Sequence, residues 1–371
     1  MSKKLHFENL DGLRFFCFLS VFFYHSFHTE SIEVKNNWLY HLIKVDVFGN
    51  GNLGVNFFFV LSGFLITYLL IQEKITNVNI NIKNFYMRRV LRIWPLFYFC
   101  VFFGFVIFPY LKLIFSQTPN ESANLWYYLF FGNNFDVISN GQPDSSVLAV
   151  LWSLAIEEQF YLVWPIILFL FPLKKMWIPF SFVLLVSIIF RITNNSEVEA
   201  EIHTLSCMAD LTIGAFGAWV IVQYNFIKDF FYNLSKIKIG LIYLMVLLVF
   251  LFRTELFNYF TVIKIFDRVI IALIFLLVIL EQNFAKNSFF KLSNLKLMTK
   301  LGKITYGLYC LHFIGILISI KLLNKIVQDD SIWKVLLLDT FAALILSIII
   351  ASLSYTIYEK PFLKLKKKFE S

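Results

Sequence analysis

The sequence predicts an all-α integral membrane protein with about ten transmembrane helices and both termini cytoplasmic. Three observations carry this prediction. Of the 371 residues, 59% are apolar and only 15% charged, and 46 are Phe; a soluble domain is about half apolar and about a quarter charged. The apolar residues lie in long continuous runs rather than in alternation, which selects helices over a closed barrel as the way to pair every backbone polar group in lipid. Finally, Lys and Arg are distributed unevenly between alternate connections.

The runs fall at about 13–29, 54–72, 93–114, 148–171, 176–191, 206–224, 239–252, 262–280, 303–322 and 333–357. The fifth and seventh are short, and the ninth and tenth contain polar residues. With the N-terminus inside, the inner segments carry 22 of the 33 Lys and Arg, beginning with Lys3 and Lys4, and the outer segments ten, with Arg14 as the remainder. The net charge of +9 therefore follows from topology and does not point to nucleic acid. The tail "KLKKKFE" is expected to rest on anionic lipid headgroups. Arg14 interrupts the first run and no small-residue cleavage site follows, which argues against a signal peptide. Cys17, Cys100, Cys207 and Cys310 have no paired or metal-like spacing, so packing is their expected role and no metal site is predicted. The polar connection at 116–147 is too short for a folded domain. A single transmembrane domain, 1–371, without an appended soluble domain is expected.

Five stretches place chemistry in apolar surroundings. "LDGLRFFCFLSVFFYH" carries Arg14 and His25, eleven residues apart. That is three helical turns plus about 20°, so the two share a stripe roughly 16 Å long. "GVNFFFVLSGFLIT" sets Asn56, Ser62 and Gly63 among Phe, Val and Leu, where Gly63 allows a close helix approach. "YMRRVLRIWP" groups Arg88, Arg89 and Arg92 ahead of the third run, as fork-shaped donors suited to phosphate. "LWSLAIEEQFYLVWP" repeats Ser153, Glu157 and Tyr161 every four residues on one helical face, while Glu158 and Gln159 point elsewhere. "ITYGLYCLHF" aligns Tyr306, Tyr309 and His312 at threefold spacing. Each also has a structural reading: a snorkelling Arg with an interfacial His, an interhelical ion pair for Glu157, a positive-inside cluster, a hydrogen-bonded His312, and packing glue for Asn56 and Ser62. In "YEKPF", Pro361 is expected to end the last helix and Glu359 to pair with an Arg.

Taken together and in this order, the stretches resemble the acyltransferase-3 family, integral-membrane acyltransferases that modify bacterial surface sugars. The resemblance covers nearly the whole chain: Arg14 and His25, the second-span signature, Arg88/Arg89/Arg92, Trp152–Ser153 with Glu157, and the closing "YGLYCLHF" and "YEKPF" match its motifs. It implies a multi-pass protein of the bacterial cytoplasmic (inner) membrane. It also implies no tightly bound cofactor, acyl-CoA (commonly acetyl-CoA) as cytoplasmic co-substrate, and an extracytoplasmic or lipid-linked saccharide hydroxyl as acceptor. Membrane lipids are the other expected partner; oligomeric state is left open.

A mechanism follows as an expectation. Arg88, Arg89 and Arg92, joined by Arg14, hold the donor's phosphates. His25 acts as general base, and Glu157 orients or stabilises its ring. Asn56, Ser62, Ser153, Tyr306 and His312 are candidates for the substrate or oxyanion contacts. The rival reading is a multi-helix transporter or exporter of a glycan or lipid-linked sugar, which predicts internal repeats that the sequence does not display.

Overall fold

A computed structural model describes residues 7–257, 261–327 and 331–369; Lys3, Lys4 and Glu370 of the tail lie outside the described residues. Among the described residues there is no strand, and ten long helices overlap the ten predicted runs. These are α1 (Glu8–His25), α2 (Leu53–Asn77), α3 (Ile82–Phe102), α4 (Trp152–Leu170), α5 (Trp177–Thr193), α6 (Thr204–Gln223), α7 (Lys236–Phe257), α8 (Thr261–Phe284), α9 (Thr305–Ile326) and α10 (Thr340–Leu353). Among the described residues, eight helical segments are long and apolar enough to cross a membrane. The remaining two long helices, α1 and α8, carry Glu8, Asp11 and Arg14, and Lys264, Asp267, Arg268 and Glu281. The lipid-type surface is visible as exposed apolar stripes at helical spacing, such as Phe341, Ile345, Ile349 and Leu353 on α10.

Several boundaries differ from the sequence prediction, the first helix among them, which covers Glu8–His25 rather than 13–29. The third helix starts at Ile82, capped by the Asn81 side chain, so the arginine cluster lies inside it and not ahead of it. The seventh spans Lys236–Phe257 but leaves helical geometry at Phe252 (φ −125°, ψ 28°), where the predicted run ends; in the turn beyond this kink Arg253 pairs with Asp267 of α8 at 3.5 Å. Pro361 does not end the last helix. A π-helical turn, Ser354–Glu359, absorbs the register and places Pro361 in the first turn of a further segment, Lys360–Lys366, where a missing N–H costs little.

The chain packs as two compact units. The first comprises Met1–Tyr68, Ala209–Thr305 and Ile320–Ala342; the second comprises Leu69–Met208, Tyr306–Ser319 and Ala343–Ser371. In the first unit α2 and α6 cross at a reciprocal pair of glycines. A Cβ on Gly63 would lie 1.9 Å from the Leu211 carbonyl oxygen, and one on Gly214 would lie 2.0 Å from that of Val60. Gly63 thus does what the sequence suggested, letting two backbones meet. α7 and α8 pair antiparallel, with Tyr243 donating to Glu281 at 2.7 Å near one end and the Arg253–Asp267 pair near the other. In the second unit α3 and α4 are antiparallel neighbours: Tyr86 donates to the Leu162 carbonyl at 2.6 Å and Trp94 to Glu158 at 2.9 Å. Lys74 closes the end of α4 by donating to the carbonyls of Leu168, Phe169 and Phe171, three acceptors a helix end leaves unpaired.

Candidate functional site

The first unit holds Arg14, His25, Asn56 and Ser62. Glu8 and Asp11 occupy the acidic first turn of α1, favourable at the positive end of the helix, and His25 is its last residue. Arg14 donates to Asp11, one turn earlier, at 2.8 Å, and the pair is largely buried. Sequence reasoning passed over Asp11, although an Asp and an Arg three residues apart in an apolar run were the signal. His25 is half-buried and meets the Tyr24 ring edge-on at 5.0 Å.

Asn56 is fully buried and donates to Asp210 of α6 at 3.1 Å. The same carboxylate oxygen accepts from Arg268 of α8 at 3.0 Å. Asn56 therefore belongs to an interhelical Asn–Asp–Arg network whose two charges are almost completely enclosed. Asp210 and Arg268 were missed in the sequence, where each is a solitary charge in an apolar run. Ser62 is half-buried beside Gly63.

The second unit holds the arginine cluster, Ser153, Glu157, Tyr306 and His312. Arg88 is ion-paired with Glu73 at 3.1 Å and donates to the Phe369 carbonyl at 2.8 Å. Arg89 is held differently. Its guanidinium lies over the Phe85 ring at 5.5 Å and the Tyr161 ring at 5.6 Å, and its Nε has no hydrogen-bond partner. Ring faces stabilise a guanidinium while leaving its edge able to bond. Tyr161 in turn donates to Glu157 at 3.0 Å. The structure thus joins two stretches that the sequence treated as separate: a face of α3 presents Arg89 to Tyr161, and Tyr161 leads to Glu157. Arg92, one turn beyond Arg88, is half-buried and within electrostatic range of Glu359.

Glu158 departs from the face shared by Ser153, Glu157 and Tyr161, as predicted. One oxygen accepts from Trp94 and the other, buried, has no partner. Gln159 donates to the Phe131 carbonyl at 2.7 Å and to Asn134 at 3.0 Å, tying α4 to the connection before it. Ser153 and Tyr309 share a 2.6 Å hydrogen bond. Tyr306 donates its single hydroxyl hydrogen to the Ile93 carbonyl at 2.7 Å. His312 is fully enclosed, with Nδ1 2.8 Å from the Tyr309 carbonyl. All four cysteines are buried, and none forms a disulfide.

These features define a helical membrane protein with several charged and polar side chains enclosed among its apolar helices. The chain belongs to the acyltransferase-3 family, whose acyltransferase-domain profile matches residues 7–356. It is similar to O-acetyltransferase OatA of Staphylococcus aureus (strain NCTC 8325 / PS 47), 34% identical over 173 residues, covering 45% of this chain and 26% of that one. It is also similar to the peptidoglycan O-acetyltransferase OatA of Listeria monocytogenes, 27% identical over 374 residues, covering 96% of this chain and 56% of the relative. The chain thus spans between about a quarter and just over half of the length of these relatives. No solved structure gives a significant match.

Proposed function

We propose that the chain is a multi-pass O-acyltransferase of the bacterial cytoplasmic membrane with both termini cytoplasmic. It moves an acetyl group from cytoplasmic acetyl-CoA to a hydroxyl of an extracytoplasmic saccharide. The relatives' names favour peptidoglycan as the acceptor class, and the charge asymmetry of the connections supports the topology.

The observation that carries the reading is Arg89, a guanidinium held by ring faces with bonding capacity left over. With Arg88 and Arg92 it supplies forked, permanently charged donors for the donor's phosphates. His25 takes the proton of the acceptor hydroxyl as its oxygen attacks the thioester carbonyl. The tetrahedral intermediate expels the thiolate of coenzyme A, and the imidazolium returns the proton to that sulfur. One C–O bond forms and one C–S bond breaks, and the imidazole is regenerated. The Tyr306 hydroxyl is committed to Ile93 as it stands, so it must turn before serving the oxyanion.

The test is transfer from radiolabelled acetyl-CoA to peptidoglycan sacculi by the purified protein in liposomes. The expected result is acceptor-dependent label incorporation, reduced about 100- to 10,000-fold in His25→Ala at equal membrane content. Saccharide flux without consumption of acetyl-CoA overturns this reading in favour of an exporter.

A further inference from the structure

The end of α1 is built with unusual completeness. The last carbonyls of a helix have no partner inside it and need one from elsewhere. Here Ser26 supplies two: its hydroxyl donates to the Phe22 carbonyl at 2.7 Å and its N–H to that of Phe23 at 3.1 Å. Tyr40 donates to the Phe27 carbonyl at 2.9 Å. The carbonyls of Tyr24 and Ser26 both accept from one group, the Lys44 ammonium, at 2.7 Å each.

Lys44 therefore grips the backbone on either side of His25. The grip is reinforced by chemistry and by shape. Its ammonium lies 5.9 Å from the centroids of both the Tyr24 and the Phe27 rings, within cation–π range. A cation at the C-terminus of a helix is favoured by the helix dipole. The chain turns sharply here: Phe27 has φ of 65°, a left-handed conformation that a bulky residue rarely adopts without support. That support is an apolar cluster of Phe27, Val34, Val335 and Leu336, against which Phe23, Tyr40 and Phe48 pack. Lys44 itself stands on a π-helical turn, Leu42–Val47. Such turns insert a residue and re-aim a side chain, and they are frequent at functional sites. The burial needed to reach the carbonyls brings the Lys44 ammonium down to about 8. Desolvation of this kind is an odd cost to accept for a surface loop that merely connects two helices.

We propose that Lys44 is a positioning residue for His25, holding the last turn of α1 from both sides so that the imidazole is presented in one orientation. The inference rests on the reading of His25 as the base. Lys44 does not touch the reacting atoms. It acts through the Tyr24 and Ser26 carbonyls, and the collar of residues 26–48 is the frame on which it stands.

The test compares wild type, Lys44→Met, Lys44→Arg and His25→Ala as full-length protein in liposomes, with acetyl-CoA and peptidoglycan sacculi as substrates. Lys44→Met keeps the stem and removes the donors. It should lower kcat about 10- to 100-fold, the cost of a small misplacement of a reacting group. KM for acetyl-CoA should stay within about twofold, because the residue does not bind substrate. Lys44→Arg restores two donors at similar reach and should recover part of kcat. Thermal unfolding in detergent, measured on the same samples, separates positioning from folding. A Lys44→Met protein with wild-type kcat overturns the proposal. So does a loss of kcat that follows the loss of folded protein and is not relieved by Lys44→Arg. If His25→Ala retains wild-type turnover, the reading of His25 as base falls, and the inference with it. If His25→Ala is inactive while Lys44→Met is normal, only the inference falls.

Discussion

Two arginines, one in each unit, show two ways to keep a guanidinium away from water. Arg268 is 1% exposed and bonds Asp210, which Asn56 also contacts; α2, α6 and α8 are thereby joined. Arg89 bonds no carboxylate through its Nε and lies over Phe85 and Tyr161. The first has its charge balanced by a neighbouring helix and serves architecture. The second is supported by ring faces, which attract a cation without occupying its hydrogen-bond donors. The difference teaches that an embedded arginine is assigned by what holds it, not by its depth in an apolar run.

The comparison is broken most directly at Asp210. Asp210→Ala removes the buried carboxylate that accepts from Arg268 and should destabilise by about 3–5 kcal/mol. Unfolding in detergent and membrane yield should register it. The double replacement Asp210→Leu with Arg268→Leu should be far milder, since well-packed apolar pairs replace buried ion pairs at little cost. If the double variant is as unstable as the single one, the network does more than balance charge.

Arg89→Ala should leave unfolding nearly unchanged and raise KM for acetyl-CoA about 10- to 100-fold, the equivalent of one lost charge-assisted hydrogen bond of about 1.5–3 kcal/mol. A stability loss as large as that of Asp210→Ala would erase the contrast. An intermediate effect on stability is expected at Arg88. Its pair with Glu73 is largely buried, with side chains 14% and 11% exposed, so Arg88→Ala should cost about 1–3 kcal/mol, read as a shift in unfolding midpoint that changes little with salt.

Much of this architecture was legible from residue order. Ten apolar runs became ten long helices, and the four-residue repeat of Ser153, Glu157 and Tyr161 produced the Tyr161–Glu157 bond one turn long. Helix ends were read less well. The seventh run ends at 252, where Phe252 does leave helical geometry, but helix resumes beyond it as far as Phe257, with Arg253 paired to Asp267 of the next helix. Pro361 looked like a stop, yet a π-helical turn accommodates it. Lys44 was counted only as one of the outer charges, since nothing in the string "HLIKVDV" shows that its ammonium reaches back to carbonyls about twenty residues earlier.

By itself the sequence determined the class of solvent and the element type, because hydropathy and the need to pair backbone groups in lipid act locally along a run. It also determined the spacing along each helix, since 3.6 residues per turn is a property of the backbone alone. Tertiary structure alone decided which embedded charges are neutralised and which keep a bonding edge. That outcome depends on what the neighbouring helix offers a few ångströms away: for Arg268 an aspartate, for Arg89 the face of a tyrosine.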